Sequence, residues 1–368
     1  MRIGIVTEYF YPTVGGVQEH VFHFAREARR RGHTVTVMTS RVHDLPPLPA
    51  HLEAGVIHLG RSMRLESNGS VGRVTVGLGL AARLKELLVP ERFDVIHVHA
   101  PLTPVLPMLA VRHTALPVVG TFHTNFTRSR LMATFHRACQ TTVDRLDARM
   151  AVSDACVRAL QPYVRGRFNV IPNGVDCSLF TSGRRQPWAL GGQVVLFIGR
   201  LESRCGLDRI LRAWPRLQRE ASARLIVVGD GPERARYETM ADSLEVPARF
   251  FGAVRDRRPD FFASADVLVC PTTIASFGIT LLEGMAAGVP IIASDIDGFR
   301  EILTHGREGL LVDTARPDLL AQALAELLED APRRRRLGDE GRRTAARFDW
   351  PLVAERILDV YRSVGAPS

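Results

Sequence analysis

Residues 271–290 read PTTIASFGITLLEGMAAGVP and lie between two short apolar runs, Val267–Cys270 and Pro290–Ala293. Buried parallel strands read as continuous apolar runs of this kind. Ser276-Phe277-Gly278 opens a helix, and Gly288 closes it, because glycine adopts the left-handed cap conformation at no steric cost. A strand, a loop, a helix and a second strand make one βαβ unit of a parallel sheet.

The same alternation extends from this unit toward both ends of the chain. Earlier strands are predicted at Ile3–Thr7, Thr34–Thr39, Val56–Leu59, Asp94–His99, Pro117–Phe122, Arg149–Val152 and Asn169–Ile171. A helix is predicted from Gly16 to Arg31, with Val17, Val21, Phe24, Ala25 and Ala28 on one face and Gly32 at its end. The polar stretch TSGRRQPWALGG, residues 181–192, reads as an interdomain linker. The pattern restarts at Val194–Ile198, Leu225–Val228 and Arg249–Phe251, and a last helix spans Trp350–Val364. At about 150 residues per domain, 368 residues fit two domains. The expected fold class is α/β, with two facing Rossmann-like domains. Ligands of such sheets lie beyond the carboxyl ends of the strands, so the cleft between the domains is the expected site.

Charge is unevenly spread. Residues 1–183 carry 21 Arg or Lys against 13 Asp or Glu, whereas residues 184–368 carry 27 against 26. A basic first half points to an anionic partner, with phosphate, an anionic membrane surface and nucleic acid all qualifying on charge alone. A general preference for arginine is the competing explanation, since Lys85 is the only lysine. The run Arg333–Arg336 reads as a solvated helix face, and no nucleic-acid partner is expected. Five cysteines at spacings matching no metal or redox motif point to a reducing cytoplasm. MRIGIVTEYF enters a strand without a basic-then-apolar leader, and no run of about 18 uncharged apolar residues is present.

Gly15-Gly16 stands between the first strand and its helix, where amides at a helix N-terminus suit phosphate. The dinucleotide fingerprint is absent. Gly15-Gly16 lacks the spacing, and Gly229-Asp230-Gly231 lacks the third glycine, which counts against a nicotinamide or flavin enzyme. The first-turn amides of Gly278, Ile279 and Thr280 suit a diphosphate or a sugar hydroxyl, and Glu283 in the same helix can accept hydrogen bonds from a ribose diol. Arg200 follows a strand and can clamp phosphate in bidentate fashion. His20 with His23, His97 with His99, and Asp295 with Asp297 each imitate part of a metal site, but no third ligand is evident, and no metal is expected.

In order along the chain stand GGVQEHV (Gly15–Val21), IPNGVD (Ile171–Asp176), FIGRLE (Phe197–Glu202), VVGDGP (Val227–Pro232) and SFGITLLEGMAAGVPIIASD (Ser276–Asp295). This set resembles family 4 of the retaining GT-B glycosyltransferases. With NGSV (Asn68–Val71), GTFHT (Gly120–Thr124) and AVSD (Ala151–Asp154), it is most similar to phosphatidylinositol mannosyltransferases. The resemblance implies an acceptor-side domain at 1–183, a nucleotide-sugar domain at 184–347, and a C-terminal helix, 348–368, crossing back to the first domain. It implies transfer of a hexose, mannose among the options, from a GDP- or UDP-sugar to an acceptor hydroxyl such as that of a phospholipid head group. It implies no cofactor besides the donor and leaves metal dependence open. The enzyme would be cytoplasmic, peripheral on the inner face of the cell membrane. Arg73, Arg83, Lys85, Arg128 and Arg130 are the candidates for a membrane-facing basic surface.

By position, the resemblance assigns Gly16 and Arg200 to the donor diphosphate, Glu283 to the ribose and His123 to the reacting sugar. It puts Gln18, Asn68 and Arg128 on the acceptor side. Two positions depart from the family. Cys205 stands where a lysine precedes Gly206, with Arg204 available to carry the charge, and Ala275 replaces the first of two glutamates eight residues apart. A GT-B pseudoenzyme that only binds a nucleotide-sugar or a membrane is the alternative these departures raise.

Overall fold

The computed structural model describes residues 1–13, 15–43, 55–67, 70–124, 129–254 and 257–367. They divide into two compact units, Met1–Gly174 with Trp350–Ser368, and Val175–Asp349.

The first unit contains β1 (Arg2–Val6), β2 (Thr34–Arg41), β3 (Val56–Ser67), β4 (Ser70–Val76), β5 (Val95–His99), β6 (Val118–Phe122), β7 (Ala148–Ala151) and β8 (Asn169–Val170). They form one sheet in the order β4-β3-β2-β1-β5-β6-β7-β8. All pairs are parallel except β3 with β4. The chain winds outward from β1 first to β2 and later to β5, so the topological switch lies between β1 and β5, where open sheets bind ligands. The helix Gly16–Arg30 packs Val21, Phe24, Ala25 and Ala28 into the core with Ile3 and Ile5. Trp350, Val353, Ile357 and Tyr361 of the last helix, Trp350–Ser363, fill the same core. That shared burial ties the end of the chain to its beginning.

The second unit contains β9 (Gln193–Ile198), β10 (Ala223–Val228), β11 (Ala248–Phe250), β12 (Val267–Cys270), β13 (Ile291–Ser294) and β14 (Gly309–Val312). Its all-parallel order β11-β10-β9-β12-β13-β14 is the Rossmann order 3-2-1-4-5-6. The switch point falls between β9 and β12. The core runs from Val195, Phe197 and Leu225 to Trp214 and Leu324 on flanking helices.

Three features differ from the expectations. The β3–β4 hairpin was not predicted beyond Val56–Leu59, nor was β14. The hairpin had a signal, Asn68-Gly69, the dipeptide favoured between paired strands. The stretch 181–192 is not a free linker. Arg184 N donates to Asp260 Oδ1 (3.0 Å), Gln186 N donates to Ser264 Oγ (2.9 Å), and Ala189 is fully buried. Side chains of the helix Arg258–Ser264 thus satisfy its backbone donors, and the observed division falls at Gly174/Val175 rather than 183/184. Among the described residues, no helix is long and apolar enough to cross a membrane.

Candidate functional site

In the second unit the loops leaving β9 and β12 flank the switch point. Glu202 is 4% exposed and holds two guanidinium groups, Arg200 Nη2 at 2.5 Å from Oε1 and Arg204 Nε at 2.9 Å from Oε2. Both arginine side chains are about two-fifths exposed, at 43% and 40%, so each keeps donors open to a ligand while its position is set by one buried carboxylate. Arg204 O accepts from Thr273 N at 2.9 Å, which fastens the β9 loop to the β12 loop. The approach is so close at Gly206 that a Cβ would lie 2.3 Å from Pro271 O, and its φ of +75° is one that glycine adopts freely.

Cys205, where the resemblance expects a lysine, turns toward the apolar core of the unit. Burial pushes its thiol pKa up, against the pull of Arg204. The position therefore supplies no charge to the site. The helix Ile279–Ala287 starts at Gly278, which offers no side-chain cap to its first-turn amides. Glu283 in this helix is buried and ion-paired with Arg258.

In the first unit the turn after β1 leads into the helix Gly16–Arg30. Gly16 is exposed at its first position. Gln18 is buried beneath the turn, and its Nε2 donates to Thr13 Oγ1 at 2.7 Å, so the amide braces the glycine turn. Glu8 is buried nearby and accepts from Thr75 Oγ1 (2.5 Å) and Thr75 N (3.1 Å) on β4. Burial pushes its carboxyl pKa up to about 7, with the Thr75 hydrogen bonds opposing.

His123 follows β6 directly and is half-buried. Its Nε2 lies 2.9 Å from His99 Nδ1. His20 sits edge-on to both rings, at centroid distances of 5.0 Å from His123 and 5.3 Å from His99, and its Nδ1 is 2.9 Å from Asn173 Oδ1. His97 is held at both nitrogens, by Tyr361 Oη and Thr121 Oγ1, each at 2.6 Å. Burial pushes the pKa of His20 down to about 4, and those of His97, His99 and His123 well below the usual imidazole range. The web is therefore neutral at pH 7. The sequence paired His97 with His99 and His20 with His23 and set His123 apart; the fold joins His20, His97, His99 and His123, yet among the described residues no group of three or more His, Cys, Asp or Glu could hold a metal ion.

Asn68 and Arg128 lie outside the described residues. Arg83, Lys85 and Arg130 are exposed, but Arg73 is only 8% exposed and donates to Ser62 Oγ at 3.1 Å, so it leaves the set proposed for a basic face. Residue-by-residue reading missed Glu202, Arg258 and the role of His99. For Glu202 a signal existed, since Arg-x-Glu-x-Arg in an extended chain puts all three side chains on one side. For Arg258 and His99 none existed, because their partners lie 25 and 24 residues away.

Comparison with known proteins agrees with this architecture. The family model described as Glycosyltransferase Family 4 matches residues 14–179, and that described as Glycosyl transferases group 1 matches residues 182–344. A phosphatidyl-myo-inositol mannosyltransferase of Mycobacterium tuberculosis (strain ATCC 25618 / H37Rv) is 37% identical over 373 residues, covering 99% of this chain and 97% of that protein. Among solved structures, sucrose-phosphate synthase from Thermosynechococcus elongatus shares the fold with a TM-score of 0.80 at 20% identity, covering 100% of this chain and 99% of that one. Anabaena HepE in complex with UDP-glucose does so with a TM-score of 0.80 at 20% identity, covering 98% and 99%.

Proposed function

We infer that this chain, which belongs to glycosyltransferase family 4 and is a transferase of the GT-B fold, moves a hexose from a nucleotide-diphosphate sugar to an acceptor hydroxyl with retention of configuration. The observation that carries the reading is the Glu202 clamp, which fixes the Arg200 and Arg204 guanidinium groups at the carboxyl end of β9. With the uncapped helix start at Gly278, they form a preorganised cradle for a diphosphate. Preorganised charge stabilises a leaving group as its negative charge grows, and such donors are each worth about 10²–10³ in rate.

In this mechanism the bond between the sugar C1 and the β-phosphate oxygen breaks while Arg200 and Arg204 take up the growing charge. The acceptor oxygen bonds to C1 on the same face, and its proton passes to the departing phosphate oxygen. Glu283 binds the ribose, the Gly16 amide contacts the diphosphate, and His123 contacts the sugar. Gln18 acts on the acceptor side by holding the turn after β1; Asn68 and Arg128 contact the head group.

The acceptor is a phosphatidylinositol head group and the sugar is mannose, a reading supported by the mannosyltransferase relative and by exposed Arg83, Lys85 and Arg130, which suit an anionic lipid surface. Nothing in the geometry favours the non-catalytic alternative, because the losses at positions 205 and 275 leave Arg200, Arg204 and Glu283 in place. The test is transfer by the pure protein from GDP-mannose, and from UDP-glucose as the contrast, to phosphatidylinositol in vesicles. A lipid product heavier by one hexose in mass spectra is expected from GDP-mannose. No lipid-linked hexose from either donor would sink the reading.

A further inference from the structure

We propose that His99 is a positioning residue that fixes neutral His123 as its Nδ1–H tautomer, so that His123 meets the substrate as a hydrogen-bond donor. The proposal rests on the reading of this chain as a sugar transferase with His123 at the reacting sugar.

One hydrogen bond joins the two rings, between His99 Nδ1 and His123 Nε2 at 2.9 Å. One of these nitrogens carries the proton and the other accepts it. The choice is settled at the far side of His99. Its Nε2 is fully buried and has no hydrogen-bond partner among the described residues. Were His99 protonated at Nε2, a buried N–H would be stranded, and orphaned buried donors are rarer than orphaned acceptors. Protonation at both nitrogens would place a charge among the packed imidazoles of His97, His20 and His123. The remaining form has the proton on His99 Nδ1, which donates to His123 Nε2. Neutral His123 then carries its own proton on Nδ1, the nitrogen left for a ligand.

The surroundings hold this arrangement in place. The His99 ring lies between His97, at a centroid distance of 4.1 Å, and His123, nearly parallel at 24° and 5.2 Å. His97 cannot turn, because Tyr361 and Thr121 occupy both of its nitrogens. His20 closes the third side, edge-on to both rings. An Nδ1–H at His123 suits an oxygen that gains electron density during transfer or a sugar hydroxyl acting as acceptor. A lone pair there would instead demand a hydroxyl donor.

The test is long-range ¹H–¹⁵N correlation on the full chain labelled with ¹⁵N at its histidine rings, without ligand, at neutral pH. The wild-type spectrum decides first and needs no variant to fold: His123 in the Nδ1–H form is the expected result, and His123 in the Nε2–H form overturns the proposal. His99→Leu is expected to release His123 from the Nδ1–H form and to lower kcat by about tenfold with the donor KM little changed. His99→Asn, which keeps an N–H donor, is expected to restore the wild-type tautomer and most of the rate. An unchanged His123 tautomer in folded His99→Leu also overturns it. If the tautomer is Nδ1–H yet His123→Ala transfers sugar at the wild-type rate, the placement of His123 at the sugar fails while control by His99 stands.

Discussion

The loop after β6 and the loop after β9 both leave the carboxyl end of a parallel strand, but their electrostatics are opposite. The first begins at half-buried His123, which joins buried His99, His20 and His97 in a web of neutral rings with depressed pKa values, tied by hydrogen bonds to Asn173, Thr121 and Tyr361. The second presents two half-exposed cations fixed by one buried carboxylate, Glu202. The contrast matches the bonds each would make. A leaving diphosphate is charged before and after transfer and is best met by permanent charge. A sugar is neutral, and a fixed donor or acceptor orients it without attracting competing ions.

The largest effect that can break this comparison is expected from Arg200→Ala. Loss of the guanidinium should lower kcat/KM by about 10²–10³ and remove the thermal shift produced by nucleotide sugar. Unchanged calorimetric binding of the nucleotide would move the diphosphate away from the β9 loop.

Acid should act on the histidine web and spare the arginine clamp. His20, His97, His99 and His123 have folded pKa values below their unfolded values near 6.5, so below that pH the unfolded chain binds more protons. Their contribution is complete above pH 6.5 and is lost progressively as pH falls below it, for His20 down to about 4. The slope is about 1.4 kcal/mol per pH unit for each histidine that stays neutral in the fold. Glu8 has the reverse sign. Raised to about 7, it contributes below its unfolded value of 4.5 and loses that contribution as pH rises through 7. One carboxyl against four imidazoles leaves acid weakening dominant. Of the twelve histidines only His305 lies in Val175–Asp349. Hydrogen exchange at pH 5 should therefore show earlier opening at β5 and β6 than at β9 and β12; equal loss of protection in both sheets would contradict the account.

Glu202→Gln tests whether the clamp organises the arginines or merely dampens their charge. Loss of the ion pair to Arg200 and of the charge-assisted hydrogen bond from Arg204 should weaken nucleotide affinity about tenfold. Tighter binding by calorimetry would instead make the carboxylate a brake on the site. The smallest effect is expected at Cys205→Lys. Because that side chain faces apolar core, an ammonium there should destabilise the protein by about 1 kcal/mol, read as a lower denaturant midpoint, with little gain in kcat. A large gain would mean that the lysine turns outward and reaches the diphosphate.

Much of this protein was legible in one dimension because its signals are local. Apolar runs alternate with amphipathic segments, Gly278 and Gly288 bracket a helix, and the motifs from Gly15 to Asp295 identify the family before any contact is known. The family assignment extended to Arg200 and Glu283 because each sits inside a motif beside a strand or helix end. Tertiary structure alone decided the partners: Arg258 on Glu283, Cys205 turned to the core, Arg73 buried, the stretch 181–192 built into the second unit, and four histidines from three elements drawn into one web. The physical reason is range. Periodicity and caps depend on residues within a turn or two, whereas ion pairs, tautomers and pKa values depend on which distant side chain the packed sheets bring within 3 Å, and on how much water they leave between.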